Sequence, residues 1–545
     1  MTEWTLGAVL DAIADEIPDR LMTVCGDRRS TFAESAIRTR RFANFLSSRG
    51  FGAHRERAAL DRWECGQDRV ALIMHNDLYP DMLIGCLKAR TVPVNINHSY
   101  SPREVGELFR YVRPRVVIYH RSLGARFAEV LTAGCAVLVS IDDGSGATEV
   151  AGSVSLEDAL AQGDTDHIGV GSPDDLMMIC TGGTTGSPKG VLWRQSDIYV
   201  SSMGGDDHTD DGEIHDKVRE PNRPWMAVSP LMHAAGMWTA FSAIFKGRAA
   251  VLQDNRFKFD AKSVLEIAQR ENVELVSIVG DAFAGPLVAE LRRHAYDLPS
   301  LSSIGTGGAA TNQKYKRALM ECLPQVTIID GYGSSETGSL GFGRSHRGIA
   351  SDTFVFREGG AVVSADRTRF LKPGDDEIGW AARTGRIPLG YFNASEATQQ
   401  TFPEIEGQRL VIPGDRATLE HDGTVRLLGR DSLVVNTGGE KVFVEEVEEV
   451  LRAHPNVADA VVVGRPSQRW GSEVVAVVAL REAADADRDA LCMHCRSRLA
   501  RFKVPKIILF VEQVRRLGNG KADYRWAKAI AGQDVALDFT IGSEA

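Results

Sequence analysis

The stretch CTGGTTGSPKG, Cys180–Gly190, follows directly on the apolar run Leu176–Ile179, which has the composition of a buried strand. Glycines, threonines, a serine and a lysine crowded together neither pack as a helix nor lie buried as a strand. Glycine allows tight turning and brings backbone amides close to a ligand. The hydroxyls add donors and Lys189 adds charge, a set that suits phosphate oxygens. The stretch is not a Walker loop, which needs Gly-Lys-Ser/Thr in direct succession, because Pro188 precedes Lys189. It is not the dinucleotide fingerprint either. A flexible linker is the bland alternative, but linkers rarely follow a buried-strand signal so closely.

Outward from this loop, strand-like and helix-like runs alternate. RVALIMHN (Arg69–Asn76) reads as a strand, LYPDMLIGCLKAR as a helix and TVPVNIN as another strand. Apolar runs recur at Val116–Tyr119 and Ala136–Ser140. Later come LVSIVG, a helix-like Ala282–Arg293, SLSSIG, the helical NQKYKRALMECL, and VTIID. This order predicts an α/β fold of strands covered by helices, with ligands where loops leave the strand ends. From about 360 to 431 short strands and turns predict a β-rich subdomain. After Arg430 the pattern turn, strand, helix, strand predicts a small closing α/β domain, so the expected division is 1–431 and 432–545. The polar segment Gly204–Arg223 reads as an exposed excursion.

At 545 residues the chain is too long for one core, and 43% hydrophobic with 25% charged residues excludes disordered and collagen-like classes. A net charge of -10 argues against a polyanion as main partner, and no basic stripe or reader motif points to nucleic acid. No apolar stretch is long enough for a transmembrane segment, and the acidic N-terminus does not resemble a secretion signal. The eight scattered cysteines fit reduced thiols, hence a cytoplasmic protein. Cys492-Met-His-Cys495 has metal-like spacing, but no second pair lies nearby and the segment reads as helix.

TGGTTGSPKG resembles the phosphate loop of the adenylate-forming enzymes: acyl-CoA synthetases, peptide-synthetase adenylation domains and firefly luciferase. Companion segments occur in that superfamily's order: SPLMHAAG, GTGGAA, DGYGSSETG, PGDRATLEHDGTVRLLGRDS, NTGGEKVFVEEVE and RLGNGKADYRWA. The resemblance spans nearly the whole chain. Its details lean toward actinobacterial long-chain and steroid-side-chain fatty-acid–CoA ligases, whose loop and domain junction TGGTTGSPKGVLWRQSDIY and GRDSLVVNTGGEKVFVEEVE resemble.

That resemblance implies a large layered α/β domain with a mobile C-terminal lid, and a reaction in two steps. A carboxylate attacks ATP to give acyl-adenylate and pyrophosphate, and CoA then releases AMP. Thr181, Gly182, Gly183, Thr184, Thr185, Gly186, Ser187 and Lys189 would hold the β- and γ-phosphates. Gly308, Ala309 and Ala310 would wall the adenine, and the segment Asp330, Gly331, Tyr332 and Gly333 would carry its stacking ring, Tyr332, expected just beyond the strand VTIID. Thr337 would contact the α-phosphate and Glu336 would stand near Mg2+, which prefers hard oxygen ligands. Asp415 would accept hydrogen bonds from both ribose hydroxyls, helped by Arg430 fifteen residues later. His233 would border the carboxylate and thiol tunnel, and Met232, His233, Gly280, Ala282 and Phe283 would line the acyl pocket. Lys521 would hold carboxylate and α-phosphate together, so that Lys521, Thr185, His233 and Glu336 carry the chemistry, and Gly439 would line the CoA channel.

Taken singly, most of these residues have ordinary readings: a loop threonine, a turn aspartate, a core histidine, a surface lysine. Two departures stand out. Ser432, or alternatively Asp431, falls where relatives place a hinge aspartate or lysine, and Gly183 stands where many carry serine. Asp281 is the nearest candidate for binding an amino-acid ammonium, but its surroundings VSIVGDAFAGPL resemble the acyl-ligase subgroup. An enzyme loading a carrier protein, or an aryl-carboxylate–CoA ligase, is the alternative. The sequence is compatible with a homodimer and with transient membrane contact, and specifies neither.

Overall fold

A computed structural model describes residues 3–164, 171–181, 189–346, 349, 351–437, 440–467, 471–482, 484–485, 487–517 and 520–532. Two large mixed sheets dominate the N-terminal domain, one of fifteen strands and one of eight among the described residues. Parallel pairing at the heart of each gives way to antiparallel strands toward the edges, at both ends of the larger sheet and one end of the smaller. Strands such as Val116–His120 and Val92–Asn95 are buried at every position, as parallel strands covered on both faces must be. Their valines and isoleucine are the sequence form of that burial.

The helices between the sheets share one core, in which Leu72, Ile118 and Trp193 from one sheet meet Ala227, Ala250 and Leu252 from the other. The outer face of the larger sheet is covered by Ala261–Arg270, Gly280–Arg293 and Gln313–Cys322, and that of the smaller by Pro102–Val112 and Arg121–Thr132. Local signals start several of these helices: Thr31 with Glu34 and Ser101 with Glu104 form reciprocal capping boxes. Among the described residues no helix is long and apolar enough to cross a membrane.

The C-terminal domain has its own three-stranded sheet, Val457–Ser467, Gly471–Leu480 and Ile507–Val511, with separate apolar clusters on its two faces. Cys492 and Cys495 lie on the helix Arg488–Arg496 and are buried in one of those clusters. Alternation of strand and helix signals thus led to the observed class, a large α/β domain and a smaller α/β domain.

Two readings need correction. Gly204–Arg223 is not simply an exposed excursion: Asp211–Arg219 is a helix, capped by Asp210 and packed on the N-terminal helix Leu6–Glu16. Ile214 and Val218, four residues apart, face inward, and Arg219 pairs with Glu16 at 2.7 Å. Two apolar residues at helical spacing suffice for burial even where charges dominate the count. The short-stranded region from Gly360 onward also holds a helix, Ser395–Thr401, and the strand Gly390–Tyr391 leaves it to pair with Lys189–Arg194 of the smaller sheet.

Candidate active site

The segments singled out in the sequence converge where parallel strands of both sheets end. Leu176–Thr181 runs into the glycine-rich loop and Lys189–Arg194 returns antiparallel, with Thr181 opposite Lys189. The two strands that flank the glycine-rich stretch are therefore antiparallel partners. Gly182, Gly183, Thr184, Thr185, Gly186 and Ser187 lie outside the described residues, as do the side chain of Thr181 and Gly439.

Asn95 ties this strand end to the next segment. Its Oδ1 accepts from the Cys180 amide at 2.7 Å and its Nδ2 donates to the Met232 carbonyl at 2.6 Å. His233, which follows, stands at the start of the helix Ala234–Ile244. Burial, and then the charge of Lys521, lower its pKa to about 4, so the ring is neutral near pH 7. Its Nε2 is buried with no hydrogen-bond partner among the described residues. Gly280 approaches from the neighbouring strand end with φ +56, and a Cβ there would lie 3.0 Å from both the Ala309 Cβ and the Ala310 carbonyl oxygen. Only glycine meets both demands. Gly308, Ala309 and Ala310 thus form one wall with Gly280, while Phe283 is held edge-on by Phe259 at 4.5 Å.

Tyr332 lies within a strand, Thr327–Ser334, and not beyond one. Gly331 and Gly333 flank it, and the hairpin partner Gly338–Ser345 continues the ladder. The Tyr332 ring stacks on Phe356 at 6.0 Å and its hydroxyl donates to Asp415 Oδ2 at 2.8 Å. Arg430 reaches the other oxygen of Asp415 at 3.3 Å, since the two oppose each other on paired strands. Asp330 faces away from solvent: its carboxylate pairs with Lys316 at 2.7 Å and accepts from Thr306. Thr337 caps the following turn, bonding Ser334 through its hydroxyl, and gives its carbonyl to Arg383.

Glu336 accepts a hydrogen bond from the Tyr391 hydroxyl at 3.0 Å, and Lys189 Nζ stands 4.8 Å from the centroid of the same ring. Tyr391 therefore joins the exit of the glycine-rich loop to the acidic turn. Neither Tyr391 nor Asn95 was singled out from sequence. The signals were slight: a polar residue closing the apolar strand of TVPVNIN, and a tyrosine in PLGYFN inside a region read as structural β-strand.

Lys521 arrives from the other domain. Arg516 and Ala522 bridge across a tight turn, and Arg516 donates to the Gly520 carbonyl at 2.9 Å. Lys521 keeps contact with solvent, yet the surrounding walls lower its pKa. Arg430 adds to that effect, while Glu336 and Asp415 oppose it. The lysine thus lies within electrostatic reach of the residues singled out for nucleotide and metal. The same closeness explains its influence on His233.

Glu445 is a second point of domain contact. Its Oε1 accepts from the Arg430 amide at 3.3 Å. Gly429 has φ +104, and a Cβ there would strike Glu445 Oε2, so glycine is required for this docking. Burial, and then the charge of Glu448, push the Glu445 carboxyl up to about 7; Asp415 acts in the same sense, and the amide of Arg430 opposes them. Between the usual carboxylate range and pH 7 the docked form holds a proton that an exposed glutamate would release. Docking is accordingly disfavoured as pH rises through that window. Glu445→Gln will flatten this dependence and stabilise the docked protein most at pH 8, read as thermal midpoints of both proteins from pH 5 to 8.

Residues 10–353 match the profile described as AMP-binding enzyme, and residues 446–521 that of the AMP-binding enzyme C-terminal domain. The chain is 42% identical to the medium-chain acyl-CoA ligase Mig of Mycobacterium avium, covering 97% of this chain and 98% of that one. It is 34% identical to the 3-oxocholest-4-en-26-oate–CoA ligase of Rhodococcus rhodochrous, covering 95% and 94%. ATP-bound MatB from Rhodopseudomonas palustris has the same fold, with a TM-score of 0.80 over 97% of this chain and 99% of that one at 22% identity. The chain belongs to the AMP-binding enzyme family. Within it the protein groups with actinobacterial acid–CoA ligases and is an AMP-forming acid–thiol ligase using ATP and CoA.

Proposed function

We propose that this enzyme converts medium- or long-chain fatty acids, or acids borne on a steroid side chain, to their CoA thioesters. The observation that carries this reading is the convergence of Lys521 with His233, Glu336, Asp415 and Arg430 beside an apolar wall of Gly280, Ala282 and Phe283. Named relatives that act on medium-chain acyl groups and on a cholestenoate support the substrate class. Each methylene buried in such a pocket adds about 0.8 kcal/mol, which favours long acyl groups.

In the first step the acid's carboxylate oxygen bonds to the α-phosphorus of ATP as the bond to pyrophosphate breaks. Lys521 stabilises the negative charge gathering between the reacting oxygens, in a cleft where water competes poorly. Neutral His233 offers a hydrogen-bonding edge to the carboxylate, which is already ionised and needs no base. Tyr332 stacks on adenine, Gly308–Ala310 close its side, and Asp415, aligned by the Tyr332 hydroxyl and Arg430, accepts from the ribose. Thr181, Thr184, Thr185, Ser187 and Lys189 grip the outer phosphates; Thr337, expected at the α-phosphate, is instead buried with its hydroxyl spent on Ser334 and Gly338 and holds the turn. In the second step the sulfur of CoA attacks the carbonyl carbon, AMP departs, and the thiol proton is released. Rotation of the C-terminal domain about Asp431–Ser432 would withdraw Lys521 and bring Gly439 to the thiol channel.

Mg2+ fits the donor set. One partly buried carboxylate, Glu336, has its Oε1 oriented by Tyr391, and magnesium is commonly held by one or two carboxylates with substrate phosphates and water. When bound it would neutralise phosphate charge. Tyr391→Phe keeps the ring beside Lys189 and frees Glu336. The Mg2+ concentration giving half-maximal pyrophosphate exchange will rise about tenfold, the effect expected for a partner that orients a metal ligand.

The substrate class is tested by ATP–pyrophosphate exchange with fatty, aromatic and steroid-side-chain acids, repeated with CoA. Fatty or steroid acids should exchange fastest and yield thioester. Exchange confined to aromatic acids overturns the substrate class. Adenylate formation without consumption of CoA would favour loading of a carrier protein.

A further inference from the structure

We infer that Asp281 is a positioning residue: it docks the C-terminal domain onto the first turn of the acyl-pocket helix, and so couples that pocket to the delivery of Lys521. The inference deepens the ligase reading and rests on it.

Asp281 is the second residue of the helix Gly280–Arg293, between the residues assigned to the acyl wall. Its Oδ1 accepts from the Asn312 amide at 2.7 Å, which pins the helix start to the loop after Gly308–Ala310. Its Oδ2 faces Arg452 Nε of the C-terminal domain at 3.9 Å, with both side chains largely buried. This is no ammonium-binding aspartate open to an amino-acid substrate, because a guanidinium from the other domain already stands there. Lys314 adds a second contact across the same boundary, donating to the Arg452 carbonyl. Arg452 is itself held by the Ala460 carbonyl at 2.8 Å and by Glu448 at 3.3 Å. It is therefore a stiff element of its own domain.

The same helix turn touches the loop that bears the lysine. Gly520 packs against Val279, Ala282 and Phe283, a Cβ on it lying 3.6–3.9 Å from them. Arg516, which grips the Gly520 carbonyl and pairs with Asp459 at 2.7 Å, adds its positive charge near Asp281. One turn of helix thus walls the acyl pocket, binds the C-terminal domain and contacts the neighbour of Lys521. Arg452 Nε has no hydrogen-bond partner among the described residues. At 3.9 Å a shift of under about 1 Å in that turn completes a charge-assisted bond. Acyl groups pressing on Ala282 and Phe283 can supply such a shift.

Asp281→Asn retains the acceptor for the Asn312 amide and removes only the charge. Pyrophosphate exchange and thiolysis of supplied acyl-adenylate are measured separately, with the acid that serves the wild-type enzyme best. The maximal exchange rate will fall about tenfold, the effect of ~1.4 kcal/mol, while KM for the acid and the thiolysis rate stay within about twofold. Asp281→Glu will recover much of the loss. Independently, acetylation of Lys521 by acetic anhydride in the presence of ATP will be faster in Asp281→Asn than in wild type. Unchanged exchange, an equal fall in both half-reactions with lowered thermal stability, or unaltered Lys521 protection overturns the inference. The protection measurement needs no acid, so it stands or falls apart from the assigned substrate class.

Discussion

Lys521→Ala will lower ATP–pyrophosphate exchange by about 10²–10³-fold, while thiolysis of supplied acyl-adenylate changes by no more than a few-fold. Adenylate formation brings two anionic groups together, and the charge at the bridging oxygens has to be met by a fixed cation. In this cleft Glu336 and Asp415 already stand opposite Arg430, and Lys521 is the cation brought in from the other domain. Thiolysis begins from a carbonyl that is already activated and has no such demand. Stability should hardly move, because the side chain remains in contact with solvent and surface changes typically stay within about 0.5 kcal/mol. His233 supplies an independent readout. Its pKa of about 4 reflects burial first and Lys521 second, so removing the lysine will raise it, measurable by NMR titration. Equal loss in both half-reactions would remove Lys521 from its assigned role, and an unmoved His233 would mean that the two do not meet in solution.

Lys316→Met will destabilise the N-terminal domain by about 3–5 kcal/mol, the usual consequence of stranding one member of a buried ion pair. Both side chains are under one-tenth exposed, and the pair sits at 2.7 Å beneath the strand that carries Tyr332. Lys316 also donates to the Ser351 carbonyl at 3.2 Å, so its loss frees a second acceptor. After substitution Thr306 remains as a partner of Asp330, which is too little for a buried carboxylate. Urea denaturation will show a lower midpoint for the large domain. Adding Asp330→Asn in the same chain will restore much of the loss, because the buried charge disappears. KM for ATP will rise in the single variant, since Gly331 and Tyr332 follow Asp330 directly in the strand. A midpoint within experimental error of wild type would show that water reaches the pair and that it contributes little.

Much of the fold was legible because it is written in contiguous residues. Runs such as VVIYH and VPVN are buried throughout, and their apolar residues mark covered strands even though Asn95 and His120 close them. The strand Leu176–Thr181 ahead of the glycine-rich stretch was legible for the same reason. Reading failed where local composition and tertiary environment pull apart. Asp211–Arg219 is mostly charged, and only the pair Ile214 and Val218 records that one face is covered by the N-terminal helix. Tyr332 was expected past its strand because glycines on either side imitate a loop, whereas they keep the ladder open to a hairpin partner.

The candidate site divides along the same line. Asp330 was grouped with the nucleotide contacts from its motif, but its side chain is spent on Lys316 and Thr306. Asp281 was weighed as a substrate contact and turns out to face Arg452.

Sequence alone determined the class of chemistry and the order of the segments that serve it. Each such segment sets its own backbone path, and that path is encoded within a dozen neighbouring residues. Tertiary structure alone decided which side chains meet: Tyr391 with Glu336 across 55 residues, Asn95 with Met232 across 137, and Asp281 with an arginine of the other domain. The physical reason is that a lone tyrosine, asparagine or aspartate has many satisfactory partners. Which one it finds depends on sheet register and domain docking, and those are properties of the whole chain.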